Sequence, residues 1–361
     1  MSRANQARLD LDALRHNLAH ARSLAPASRV MCVVKANAYG HGAVDVAAAL
    51  DPLTDALAVA CIEEALELRE HGITSPILLL EGWFEPGELL TAVEHKLWVM
   101  IDNSRQLQWL ERAQLPSPVS CWLKIDTGMH RLGVPLADAA DFHRRLLSSD
   151  NTYGDIVTCT HFACADELDN PMTGNQLALF SDVTAGLPGP RSAANSAGVL
   201  AWPRSHYDWI RPGYMLYGNS PLKAPHPNTA ALQAVMTLTS AVISLRDIAV
   251  GESVGYGATW TAQRPSRIAT VSIGYGDGYP RMAANGTPVL VNGQRAPLAG
   301  RVSMDMITVD VTDVGEVSIG DEVILWGKEL PVDEVATYAG TIGYELTTRM
   351  PARTPRVTPG R

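Results

Sequence analysis

Positive charge is what the sequence has least of to spare. Its 29 lysines and arginines stand against 38 acidic residues, leaving a net charge of −9 and a pI near 5.6. With no basic run, nucleic acid and anionic membranes are disfavoured as partners. No apolar stretch approaches the roughly 20 residues that span a bilayer, and residues 1–6 lack the apolar core of a signal peptide. A cytoplasmic protein is expected. Cysteine is scarce too: Cys32, Cys61, Cys121, Cys159 and Cys164 make an odd set of five with no two-residue spacing, so neither a structural disulfide nor a metal site is expected. Cys32, Cys61 and Cys121 read as small core hydrophobes. Cys164, close to His161, stays open between that role and a nucleophile without an orienting third group.

What is present is an ordinary globular composition, 46% hydrophobic and 19% charged over 361 residues, long enough for two domains. Apolar runs at 30–35, 57–60, 77–80, 97–101, 119–125, 156–160, 191–194 and 208–211 read as strands. Between them, segments such as 62–71, 86–95, 136–147 and 173–185 carry apolar residues at helical spacing. Such alternation implies a parallel sheet with helices outside. Eight repeats predict a (β/α)8 TIM-type barrel over residues 1–230. An open doubly wound sheet is the alternative, but no Gly-x-Gly-x-x-Gly follows the first strand. Past Pro221 the texture becomes β-rich, with candidate strands at 234–245, 268–273, 288–291, 306–311 and 322–326. Asn292-Gly293 suits the primed turn of a hairpin. A mostly-β domain over 231–361 follows.

Barrel chemistry gathers at the C-terminal ends of the strands. Lys35, Asp126 with Arg131, His161, Asn195-Ser196 and Arg211 all fall at such ends and so converge on one cavity. A partly desolvated lysine is a good nucleophile toward an aldehyde. Asn195-Ser196-Ala197-Gly198 opens a helix suited to phosphate, beside the turn Arg211-Pro212-Gly213-Tyr214. An aldehyde held by lysine and phosphate points to pyridoxal 5'-phosphate.

Val34-Lys35-Ala36-Asn37-Ala38-Tyr39-Gly40-His41-Gly42 resembles the cofactor-lysine signature of alanine racemases. The resemblance continues through residues 124–133, 160–166, 195–198 and 211–213, and in the second domain through 255–260, 274–280, 300–306 and 342–345. It implies that Lys35 bonds the cofactor and serves one face of the substrate, while Tyr256 of a partner subunit serves the other. It implies a homodimer with shared sites. Arg211 is expected against the pyridine nitrogen and hydrogen-bonded to His161, which leads on to Tyr256. Arg131 and the Met304 N–H are expected near the substrate carboxylate. Tyr39, Ser196, Gly213, Tyr214 and Tyr344 are implied phosphate contacts, with Asn195 at the same end. Tyr275, Arg301 and Asp305 would line the approach, and Lys124 matches a position carbamylated in some members. The implied activity is interconversion of L- and D-alanine, for peptidoglycan or for alanine catabolism.

Some residues invite plainer readings. Tyr256 taken alone would be a packing aromatic, and Asp126 more naturally orients a neighbour. Glu63, Glu64, Glu67 and Glu70 read as a solvated helix face, and Trp83, Trp98, Trp109 and Trp122 as packing. A decarboxylase of the same plan would set a carboxylate where Arg211 stands. A cofactor-binding protein without activity would not need the second domain. Side activity on serine stays open.

Overall fold

In a computed structural model, which describes residues 3–358, eight parallel strands close into a barrel and a mostly-β unit follows. Residues 1–2 of the stretch read as lacking a signal core, and 359–361 of the second segment, lie outside the described residues. A first strand, β1 (Gln6–Leu9), precedes the barrel. The barrel consists of β2 (Arg29–Val33), β3 (Ala56–Val59), β4 (Ile77–Leu79), β5 (Leu97–Ile101), β6 (Cys121–Lys124), β7 (Val157–Cys159), β8 (Arg191–Ser192) and β9 (Trp209–Ile210). Pairing of Val30 with Ile210 closes the ring.

Each strand is buried on both faces, which is why its sequence is a continuous apolar run rather than an alternation. The period of two still sorts the side chains. Met31, Val33, Ala56, Ala58, Leu78 and Met100 fill the interior, while Val30, Cys32, Leu57 and Val59 pack beneath the outer helices. Inside the barrel Trp98 stacks on Trp122 and both meet Trp209 edge-on, with ring centroids 5.7–6.4 Å apart. The helices Ile62–Glu70, Glu88–Glu94, Ala139–Leu147 and Met172–Thr184 cover the barrel close to where periodicity puts them. Most strands end before the expected segments do, because their last residues bend into the loops that rim a cavity. Cys61, expected in the core, is only half-buried at the start of the first of these helices.

The second unit is built from β10 (Met236–Ile248), β11 (Ser253–Val254), β12 (Trp260–Thr261), β13 (Ser266–Val271), β14 (Pro288–Val291), β15 (Gln294–Pro297), β16 (Ile307–Asp310), β17 (Glu322–Trp326) and β18 (Arg356–Val357). Its main sheet runs β15-β14-β17-β10-β1-β18, with β13 joined to β10 and β16 to β13. So the strand that opens the chain pairs with β10, some 230 residues on, and with the last strand. Asn292 and Gly293 take φ of 50° and 76°, making the expected tight turn between β14 and β15. Among the described residues no helix is long and apolar enough to cross a membrane, and no group of three or more His, Cys, Asp or Glu is placed to hold a metal ion.

Candidate active site

Lys35 lies just past β2, and the chain turns sharply behind it. Ala36, Asn37, Ala38 and Tyr39 take φ of 53°, 54°, 53° and 52°, a left-handed turn at a cost of about 1–2 kcal/mol per residue for L-amino acids. The surroundings over-determine it. The Glu64 carboxylate accepts from Ala36 N–H (2.6 Å) and Ala60 N–H (2.8 Å). Asn37 Oδ1 accepts from Ala43 N–H at 2.7 Å. Buried His41 places Nδ1 within 3.1 Å of the carbonyls of Ala38 and Tyr39. From the second unit, Arg356 Nε donates to Gly40 O at 3.0 Å, and a Cβ on Gly40 would lie 1.8 Å from Thr347 O. Glu64, expected on a solvated face, is therefore half-buried and engaged with the turn.

The strand ends enclose a cavity of about 990 Å³. Lys35, Lys124, Arg131, His161 and Arg211 share it with Tyr39, Asn195, Ser196, Gly213, Tyr214 and Tyr344. Among the described residues no carboxylate lies within ion-pair distance of Lys35, Lys124, Arg131 or Arg211. Burial, reinforced by Arg211 and Arg131, lowers the Lys124 ammonium's pKa. His161 is driven well below its ordinary value by burial and then by Arg211, Lys124, Arg131 and Lys35, so its ring is neutral.

Arg211 is nearly sealed, 6% exposed. Its Nη1 donates to Ser192 Oγ (2.5 Å), and its Nη2 to Thr160 O (2.6 Å) and, more weakly, Ala193 O (3.4 Å). The expected hydrogen bond to His161 does not form; the guanidinium is turned toward the oxygens at the ends of β7 and β8. Gln176 fixes the His161 loop instead, donating to His161 O (3.0 Å) and accepting from Ala163 N–H (2.9 Å). Asp126 does orient a neighbour, accepting from Gly128 N–H and His130 N–H.

Also lining the cavity, Ser196 has an Oγ that accepts from Gly213 N–H (2.9 Å) and Met215 N–H (3.2 Å). A Cβ on Gly213 would sit 2.5 Å from the Tyr39 hydroxyl, so only glycine lets that hydroxyl approach the turn. Tyr344 stacks on Tyr214 at 3.6 Å and 13°, and Tyr214 donates to Asp333 at 2.8 Å. Gln176, Ser192 and Asp333 go unmarked in the sequence, where nothing sets them apart from ordinary polar residues. Thr160 is marked there only within the segment 160–166, and Glu64 only as part of a solvated face.

Tyr256, Tyr275, Arg301, Met304 and Asp305 lie elsewhere, on the second unit and outside the cavity lining. Tyr256 tops the β11–β12 hairpin and is 72% exposed. Arg301 packs beside it, 3.3 Å from where a Gly257 Cβ would be. Tyr275 N–H and Gly276 N–H donate to the carbonyls of Ser303 and Met304, which joins the remaining three residues into one exposed ledge.

The sequence model of the alanine racemase N-terminal domain matches residues 9–221, and that of its C-terminal domain matches 235–358. An alanine racemase of Vibrio cholerae is 51% identical over 352 residues, covering 97% of each chain. A protein of Pseudomonas putida named as a catabolic alanine racemase is 51% identical over 344 residues, 95% of this chain and 96% of its own. The crystal structure of the biosynthetic alanine racemase from Pseudomonas aeruginosa superposes with a TM-score of 0.95 at 50% identity, covering 99% of both chains. Agreement of this depth along the whole described barrel and the β unit beyond it means that the chain belongs to the alanine racemase family.

Proposed function

We propose that this protein interconverts L- and D-alanine with pyridoxal 5'-phosphate, in a cytoplasmic homodimer whose sites are shared between subunits. The observation that carries the reading is the cavity's cationic cluster. Although Glu81, Asp166 and Asp333 also line the cavity, among the described residues no carboxylate pairs with Lys35, Lys124, Arg131 or Arg211, which favours a multiply anionic ligand. A glycine opening at Gly213 and the Lys35 amine in the same cavity suit a phosphate and an aldehyde on one molecule.

When bound, the cofactor supplies an electron sink for the pair left on the substrate's α-carbon. Lys35 would hold the cofactor through its aldehyde, and its amine would carry a proton on the face of the substrate used by D-alanine. Tyr256 of the partner subunit carries a proton on the opposite face, used by L-alanine. Inversion needs both, since one base returns the proton to the side it came from. Tyr39, Ser196, Gly213, Tyr214 and Tyr344 hold the phosphate, with Asn195 bracing the turn. Arg211 would lie against the pyridine nitrogen; a guanidinium keeps its protons, so it would leave that nitrogen unprotonated and restrain side reactions such as transamination. Arg131 and Met304 receive the alanine carboxylate. Tyr275, Arg301 and Asp305 narrow the approach to a small side chain. Lys124, whose ammonium burial holds below its ordinary pKa, is a candidate for carbamylation, which would give Arg131 an anionic partner. D-alanine so made would serve peptidoglycan synthesis, and the reverse reaction alanine catabolism.

The test combines an absorbance spectrum with chiral analysis of products from L-alanine. Lysine-bound cofactor absorption near the visible edge, together with D-alanine, is expected. Its absence after added pyridoxal phosphate would overturn the assignment, and carbon dioxide release would point to a decarboxylase.

A further inference from the structure

Two oxygens of one carboxylate hold two neighbouring strand ends of the barrel. Glu64 lies in the first turn of the helix Ile62–Glu70. One oxygen takes Ala60 N–H, four residues back, which is local capping. The other reaches 28 residues back to Ala36 N–H at 2.6 Å. That second N–H belongs to the peptide joining Lys35 to its left-handed turn. Among the described residues no ion pair joins Glu64 to Lys35, so any influence runs through the backbone. Fixing this peptide plane fixes where the Lys35 side chain leaves the main chain. Without it, the alanines at 36 and 38 favour a right-handed course, which would redirect the lysine.

We propose that Glu64 is a positioning residue for Lys35, setting the direction from which its amine meets the cofactor aldehyde. The inference rests on the function proposed above. A carboxylate suits the task because both of its oxygens accept. A glutamine of the same shape has one accepting oxygen and would turn its NH2 group toward the second N–H. An aspartate is one methylene short of spanning both.

The test uses apoprotein and two ligands: pyridoxal phosphate, and pyridoxine phosphate, which bears an alcohol in place of the aldehyde and cannot bond to Lys35. Glu64→Gln is expected to weaken pyridoxal phosphate binding by about 10-fold or more, the order expected for losing one hydrogen bond to a charged acceptor. Its affinity for pyridoxine phosphate should match that of wild type. Glu67→Gln, on the exposed face of the same helix, should leave both affinities unchanged. Equal weakening of both ligands would show a general structural role and overturn the proposal, as would wild-type affinity for both. If Glu64→Gln does not fold, Glu64→Asp is read by the same two affinities. Wild-type protein that fails to bind pyridoxal phosphate would instead sink the functional reading on which this rests.

Discussion

His41 is wholly buried behind the turn that follows Lys35, stacked on Tyr217 with centroids 4.4 Å apart. Its Nδ1 faces two carbonyl oxygens, so that nitrogen bears the proton, and Nε2 has no hydrogen-bonding partner among the described residues. Burial pulls its pKa from 6.5 to about 4, against the raising effect of the two carbonyls. The sign follows from proton counting. Between these values the unfolded chain binds a proton that native His41 refuses, so stability is full above pH 6.5 and is lost as pH falls toward 4. At 1.36 kcal/mol per unit, the loss from this group reaches roughly 2 kcal/mol by pH 5. His41→Gln is expected to be less stable than wild type at pH 7, with the difference shrinking by about that amount at pH 5. Urea unfolding at both pH values, at fixed protein concentration, checks this; a difference that stays constant would refute the buried neutral imidazole.

At the scale of elements, the barrel and the β unit meet at Gly343 as well as at Gly40. Gly343 opens the helix Gly343–Thr348, and Asp333 lies in the first turn of Val332–Tyr338. A Cβ on Gly343 would lie 2.1 Å from the Tyr214 hydroxyl and 2.3 Å from Asp333 Oδ1. The hydrogen bond between those two groups thus passes directly over the glycine. Gly343→Ala must break it and push apart the stacked rings of Tyr214 and Tyr344, at a cost of about 1–3 kcal/mol for overpacking. A lower urea midpoint and weaker cofactor retention are expected. An unchanged midpoint with a fully bound cofactor would mean that the two units are not latched here. This contact also marks what the sequence could not reveal. The eight strands were legible because strands buried on both faces are written as apolar runs, and the hairpin because Asn-Gly has few other uses. Lys35 was legible as a charge at the end of such a run. The left-handed turn was not, since Ala-Asn-Ala-Tyr is an ordinary helical string and its shape comes from Glu64, His41 and Arg356. Glu64 looked like Glu63, Glu67 and Glu70, and only the fold brings it to Ala36. The pairing of β1 with β10 and β18 is equally a matter of distant partners, which no local pattern encodes.

For the whole molecule, the question is what lies opposite the cavity. The ledge bearing Tyr275, Met304 and Asp305 is braced by the fully buried Asp277, which binds Arg3 Nη1 (2.9 Å), Arg353 Nε (2.8 Å) and Gly274 N–H (2.9 Å). Such bracing keeps the ledge rigid, yet Met304 on it is 53% exposed, and Tyr256 and Met282 of the same unit are 72% and 75% exposed. A rigid, apolar, solvent-facing surface is expected to meet another protein surface, and two-fold symmetry would carry each Tyr256 to the cavity of the other copy. Mixing Lys35→Ala with Tyr256→Ala chains tests this directly. In a mixed dimer one site receives both defects and the other neither. With random exchange half of the dimers are mixed, so about a quarter of wild-type activity per chain should return. If each chain instead used its own Tyr256, every site would lack one base and none would return. With subunit exchange verified by native mass spectrometry, silence in the mixture would refute the shared site and leave Tyr256 as a surface aromatic.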